Sequence, residues 1–128
     1  METKKIKLNG RELTLFKYEG YWIFPVFGIY PCGLGSPVAM QFYYLKGESL
    51  DFYGDVTVNL PDCQRSAGCQ FISTNKNAEG ILEWLEENKF GERTGNFGES
   101  GFCTYPEFNF YKGENYWVYR RICEEAGW

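Results

Sequence analysis

The chain has 128 residues, 44% of them hydrophobic and 23% charged, which is the size of one domain around one core. Its 13 Lys and Arg against 17 Asp and Glu give a net charge of −4, and this disfavours nucleic acid as the main ligand, because such binding runs on basic side chains neutralising phosphates. There is no His, which removes Ser-His-Asp and Cys-His catalysis, imidazole acid–base chemistry and every zinc site that needs a His. Aromatic residues make up 20% of the chain, far above the composition of disordered segments, so the whole chain is expected to fold.

In chain order, Ile6 and Leu8 alternate with Lys5 and Lys7, Asn9-Gly10 follows, and Glu12 to Phe16 continues. Asn-Gly between two such runs predicts a hairpin with a two-residue type I′ turn, where both central positions need positive φ. Residues 21–30 are apolar in both phases and predict a buried strand broken near Pro25, too short to span a bilayer. Pro31, Gly33, Gly35 and Pro37 predict a loop. Residues 38–45 and 52–60 predict two strands joined by a turn at 46–49. In the second, Val56, Val58 and Leu60 alternate with Asp55, Thr57 and Asn59, so one face is expected covered and the other wet. Residues 61–70 are a loop, followed by a short strand at Phe71-Ile72.

A helix is predicted over about 77–90. Asn77 suits the N-cap, Glu79 the first turn, and Ala78, Ile81, Leu82 and Leu85 form one apolar stripe. Glu79, Glu83, Glu86 and Glu87 fall on the opposite side, and Gly91 stands past the end. Residues 92–106 read as a long loop with Gly95, Gly98 and Gly101 at every third position, in which Phe97, Phe102 and Tyr105 plug the core. Residues 107–111 alternate as a strand. The tail fits two patterns. Residues 116–119 favour a strand, whereas Tyr119, Ile122, Cys123 and Ala126 fit a helix face, so the reading is a strand followed by a short C-terminal helix. The fold class is therefore α+β, a single domain over residues 1–128, mainly antiparallel sheet, with the 77–90 helix packed on one face.

Five cysteines, an odd number with no signal peptide ahead of them, predict reduced thiols in a cytoplasmic protein rather than a disulfide framework. The most specific blocks are residues 57–61, residues 71–77 with the helix after them, and the Gly-rich run 94–106 ending in Cys103-Thr104-Tyr105-Pro106. In this order they resemble a family of short proteins classed as domain of unknown function 4313, carried on conjugative and other mobile elements of gut bacteria. The resemblance covers about residues 38–111. It implies a small α+β fold and mobile-element residence, and it supplies no reaction and no catalytic residues. The aromatic N-terminal half, Cys63 and Cys69 depart from the family pattern.

The Gly-rich run lacks the Lys-Ser/Thr of a phosphate loop, and Cys103 lacks a base, so neither predicts chemistry. Cys63, Cys69 and Cys103, with Cys32 as a fourth, are the candidate ligands of a structural zinc; the alternative is five small hydrophobes. The acidic face Glu79, Glu83, Glu86 and Glu87 is either a solvated helix face or a docking surface for a basic partner. Trp22 and Trp117 are candidate ring anchors for such a contact. These features predict a non-enzymatic, protein-binding inhibitor with a basic host protein as partner and neither direct nucleic-acid nor membrane contact. With the mobile-element setting, the expected partner is a Cas9-type RNA-guided nuclease, whose nucleic-acid channel is positively charged, an anti-CRISPR-like role. The alternatives are a zinc-stabilised accessory module of a conjugative element and, last, a carboxylate-dependent enzyme.

Overall fold

Asn9 and Gly10 take φ values of 53° and 78°, as a type I′ turn requires, and join β1 (Thr3–Leu8) to β2 (Arg11–Tyr18). The computed structural model describes residues 2–32 and 37–127. Glu19 and Gly20, also at positive φ, repeat the device between β2 and β3 (Tyr21–Ile29). Gly47 and Glu48 close the hairpin of β4 (Val38–Lys46) and β5 (Ser49–Asp55). The five strands form an antiparallel sheet in sequence order. Leu8 and Asn9 share a cleft with Leu45 and Gly47, so this sheet curls until its first hairpin approaches its last. Of the predicted loop 31–37, residues 33–36 lie outside the described residues.

The expected break at Pro25 is absent. The ladder from β3 to β2 ends at Ile23, two residues earlier, so the missing N–H of Pro25 leaves no bond to β2 unmade, while the ladder to β4 runs on to Ile29. The single strand expected over 52–60 is instead two strands in two sheets. β5 stops at Asp55, and β6 (Thr57–Val58) opens a second sheet of order β6-β7-β9-β8. Val56 links them: its N–H donates to Met40 O at 2.9 Å, and its carbonyl accepts from Ser73 N–H at 2.8 Å. At this junction Thr57 is buried rather than wet. Its Oγ1 accepts from Met40 N–H at 3.0 Å and lies 2.8 Å from the Tyr30 hydroxyl.

The other strands of the second sheet are β7 (Cys69–Ile72), β8 (Glu92–Ser100) and β9 (Cys103–Asn109). The predicted loop 92–106 is thus a hairpin. Gly95, at φ 89°, sits in a bulge of β8 between Arg93 and Phe97, and Gly101, at φ 61°, sits in the turn. The strand after it ends at Asn109, and residues Phe110–Lys112 form a 3-10 turn.

The first helix, α1 (Ile81–Glu87), is shorter than predicted and starts after Gly80. Asn77 is not its cap. The Asn77 amide donates to Asp55 O at 3.1 Å and Ser73 O at 2.8 Å, tethering the preceding loop to the sheet junction. The tail is one helix, α2 (Glu114–Ala126), and the strand expected at 116–119 is replaced by its first turns. Tyr116, Tyr119 and Cys123 recur at helical spacing and are all buried.

α2 packs on β3, where Phe27 N–H lies 3.4 Å from Cys123 Sγ. The Tyr119 ring meets Phe16, Phe24 and Phe90 at 5.5–5.9 Å, and its hydroxyl donates to Thr14 O at 2.7 Å. Trp84 of α1 stacks on Phe90, touches Phe16, Tyr18 and Phe42 edge-on, and donates from Nε1 to Lys17 O at 2.8 Å. Each such ring pair contributes about 0.5–1.5 kcal/mol beyond its buried area. Among the described residues, no helix is long and apolar enough to cross a membrane.

Candidate functional site

The outer face of the second sheet carries a small core of its own. Leu60, Cys69 and Phe71 are buried there, apart from the main core, under the loop that runs from Pro61 to Gly68. β8 approaches Phe71 so closely that a Cβ on Gly98 would stand 2.6 Å from the Phe71 ring; only glycine fits. Beside this contact the loop and the β8 bulge leave an open cleft of about 720 Å³. Asp62, Gln64, Arg65 and Ser66 line one side, Asn96 and Phe97 the other, and Phe71 and Glu107, paired across β7 and β9, lie between.

Glu107 is 3% exposed. Its Oε1 accepts from Thr94 Oγ1–H at 2.7 Å and from the Asn96 amide at 3.3 Å. Both donors stand at the bulge, so the Gly95 irregularity is what places them over the carboxylate. Oε2 has no hydrogen-bond partner among the described residues, yet no buried side-chain oxygen there is left unsatisfied, so Oε2 opens to the cleft. No ion pair to Glu107 occurs among the described residues. Burial, reinforced by the Glu107 charge, pushes the Cys69 thiol up to about 11 against the opposing pull of Arg65, so this thiol is protonated at neutral pH.

The candidate zinc ligands are distributed differently from a closed site. The Cys63 thiol donates to Glu99 O at 3.7 Å, Cys103 Sγ accepts from the Asn75 amide at 3.8 Å, and Cys69 is buried in β7. Cys32 is exposed after β3, where its carbonyl accepts from Asn59. Among the described residues, no three Cys, Asp or Glu side chains are gathered for a metal ion.

The acidic face divides. Arg93 of β8 binds both Glu83 and Glu86, at 3.3 and 2.7 Å, and its hydrogen bonds hold the Glu86 carboxyl below the usual range. Glu79 and Glu87 are exposed and make no ion pair among the described residues. Trp22 lies under cations, with Lys17 Nζ 4.8 Å and Lys4 Nζ 5.8 Å from its ring. Trp117 is 43% exposed on α2, 4.8 Å from Tyr111, and its Nε1 donates to Tyr111 O at 3.0 Å. These residues sit on α1 and the turn before it, on β3 and on α2, each with its own neighbours, rather than in one cluster.

Two expectations about rings are corrected. Phe97 and Phe102 do not plug the core: Phe97 is 64% exposed beside the cleft and Phe102 is fully exposed at the β8–β9 turn. Sequence reasoning also missed Glu107, Thr94 and Asn96 as a unit. The available signal was a carboxylate between Pro106 and Phe108 in an apolar run, but its donors stand on a bulge of the neighbouring strand that the Gly-rich run hides.

The two antiparallel sheets, joined through Val56 and flanked by two helices, define an α+β domain with a polar cleft on the outer face of the second sheet. The chain belongs to the family described as domain of unknown function (DUF4313), whose model matches residues 34–126. β1, β2 and β3 precede the match, and every residue lining the cleft lies within it. No curated protein and no solved structure matches the chain.

Proposed function

We propose that the chain is a non-enzymatic, protein-binding inhibitor encoded on a mobile element, acting in the cytoplasm on a basic host protein, with a Cas9-type RNA-guided nuclease as the expected partner. The observation that supports this reading is the company that rings and carboxylates keep on the surface. Phe97 and Phe102 project from one hairpin, and that hairpin borders a cleft holding Asp62 and Glu107. Exposed aromatic side chains provide contact energy at low entropic cost, and carboxylates select a cationic surface.

The test is a reconstituted cleavage reaction. Guide-loaded nuclease is incubated with a molar excess of the purified chain before target DNA is added. Loss of cleavage, with the chain co-eluting with the nuclease, is the expected result. Normal cleavage across a panel of such nucleases removes the nuclease as partner, and a host pull-down that retains no basic protein removes the inhibitory reading as a whole.

A further inference from the structure

The cleft has a chemistry more specific than general acidity. Its lining holds two carboxylates, Asp62 and Glu107, against one cation, Arg65, together with neutral Gln64, Ser66 and Asn96. Glu107 is nine-tenths buried and more, is fixed from above by Thr94 and Asn96 through Oε1, and leaves Oε2 open to the cleft. Asn96 spends its amide N–H on Glu107. A buried acceptor and a rim carboxylate match a cation that donates in two directions at once. A guanidinium presents its N–H donors in a planar fork and can donate to both carboxylates, which a compact ammonium does less well. The cleft of about 720 Å³ is larger than one side chain needs, so main chain flanking the cation also enters.

We propose that this cleft is the receptor for an arginine side chain of the partner, with Glu107 as the buried acceptor and Asp62 as the carboxylate at the rim. The assignment rests on the reading of the chain as a binder of basic proteins, and it names where the contact is made. Preorganisation is the reason for the choice: the carboxylate is already desolvated and held, so an incoming guanidinium does not have to order it.

The probe is the blocked tripeptide acetyl-Gly-Arg-Gly-amide, titrated into the isotopically labelled full chain and followed by NMR at the Asn96 side-chain amide and the Phe97 backbone amide. Saturable shifts at both are expected, roughly tenfold weaker binding for Glu107→Gln, several-fold weaker binding for Asp62→Asn, weaker binding for the lysine tripeptide, and none for the citrulline tripeptide, which keeps the shape without the charge. Absence of saturable shifts, equal binding of citrulline, or shifts centred on Glu79 and Glu87 overturns the assignment. Asp62→Asn changes an exposed position and the citrulline control needs no variant, so the test holds even if Glu107→Gln unfolds the chain. An arginine peptide that binds while no nuclease is inhibited leaves the cleft standing and removes the inhibitory role. Inhibition that survives both substitutions does the reverse.

Discussion

A methyl group on Gly98 would meet Phe71 Cε1 at 2.6 Å, Cζ at 2.8 Å and Leu60 Cδ1 at 3.0 Å. Neither neighbour has room to yield, because Phe71 is 1% exposed and Leu60 lies under the covering loop. Gly98→Ala is therefore expected to lower stability by about 1–3 kcal/mol, the usual range for overpacking, read as a lower urea midpoint at unchanged slope. The cysteines divide by the same local logic. Cys69 is buried with its thiol at about 11, and burial also raises the Cys123 thiol, whereas Cys32 is exposed. Iodoacetamide at pH 8 should label Cys32 in the native chain and reach Cys69 and Cys123 only in denaturant, as peptide mass spectrometry will read. Early labelling of Cys69 means that the cover over β7 opens. Little at this scale was legible beforehand. A run of Gly at every third position looks like loop, because the bulge at Gly95 and the turn at Gly101 interrupt the period-2 signal of the strands between them.

Among the elements, the junction at Val56 and Thr57 carries the most consequence, since it is where one extended run passes from the first sheet to the second. Thr57→Val keeps the shape and removes the oxygen that Met40 N–H and Tyr30 use. A buried donor left unpaired costs about 1–3 kcal/mol, and thermal melting should show the loss. The run 52–60 alternated cleanly, but alternation reports two faces of one sheet and is silent on where a strand changes sheets. α2 was misread at its start for a related reason. Tyr116, Trp117, Val118 and Tyr119 carry β propensity, yet docking Tyr116, Tyr119 and Cys123 on β3 and the first core buries more than a short strand would. Burial raises Tyr116, Tyr119 and Cys123 above their ordinary values. The unfolded chain releases these protons first, so it binds fewer of them as pH rises, and stability falls. Their contribution is intact below about pH 8.5 and is lost progressively above it, from where the unfolded chain ionises up to where the folded groups ionise too. The urea midpoint, measured under reducing conditions, should be lower at pH 10.5 than at pH 7.5, and the α2 amides should lose exchange protection first.

Across the whole molecule, charge is segregated along the chain and the net value conceals it. Residues 3–18 hold five cations and one carboxylate, a balance of +4, so the remainder must carry −8 to reach the total of −4. β1 and β2 therefore present a basic edge, with Lys4 and Lys17 lying over Trp22, whereas the family-matched part from β4 onwards holds the acidic surface and the cleft. A cationic partner approaching in such a field is turned toward the acidic side before contact, which raises the association rate and makes it salt-sensitive. The four glutamates of the predicted docking face do not contribute equally. Glu83 and Glu86 are offset by Arg93, whereas Glu79 and Glu87 meet solvent without an ion pair among the described residues. With a basic partner in surface plasmon resonance, Glu79→Lys with Glu87→Lys should slow association by several-fold at low salt and by little at high salt, with dissociation nearly unchanged. Lys4→Glu with Lys7→Glu, in the basic segment of the chain, should speed association or leave it unchanged. A slower association from the lysine reversal would mean that the partner meets β1 first, and the acidic half would then have no part in steering.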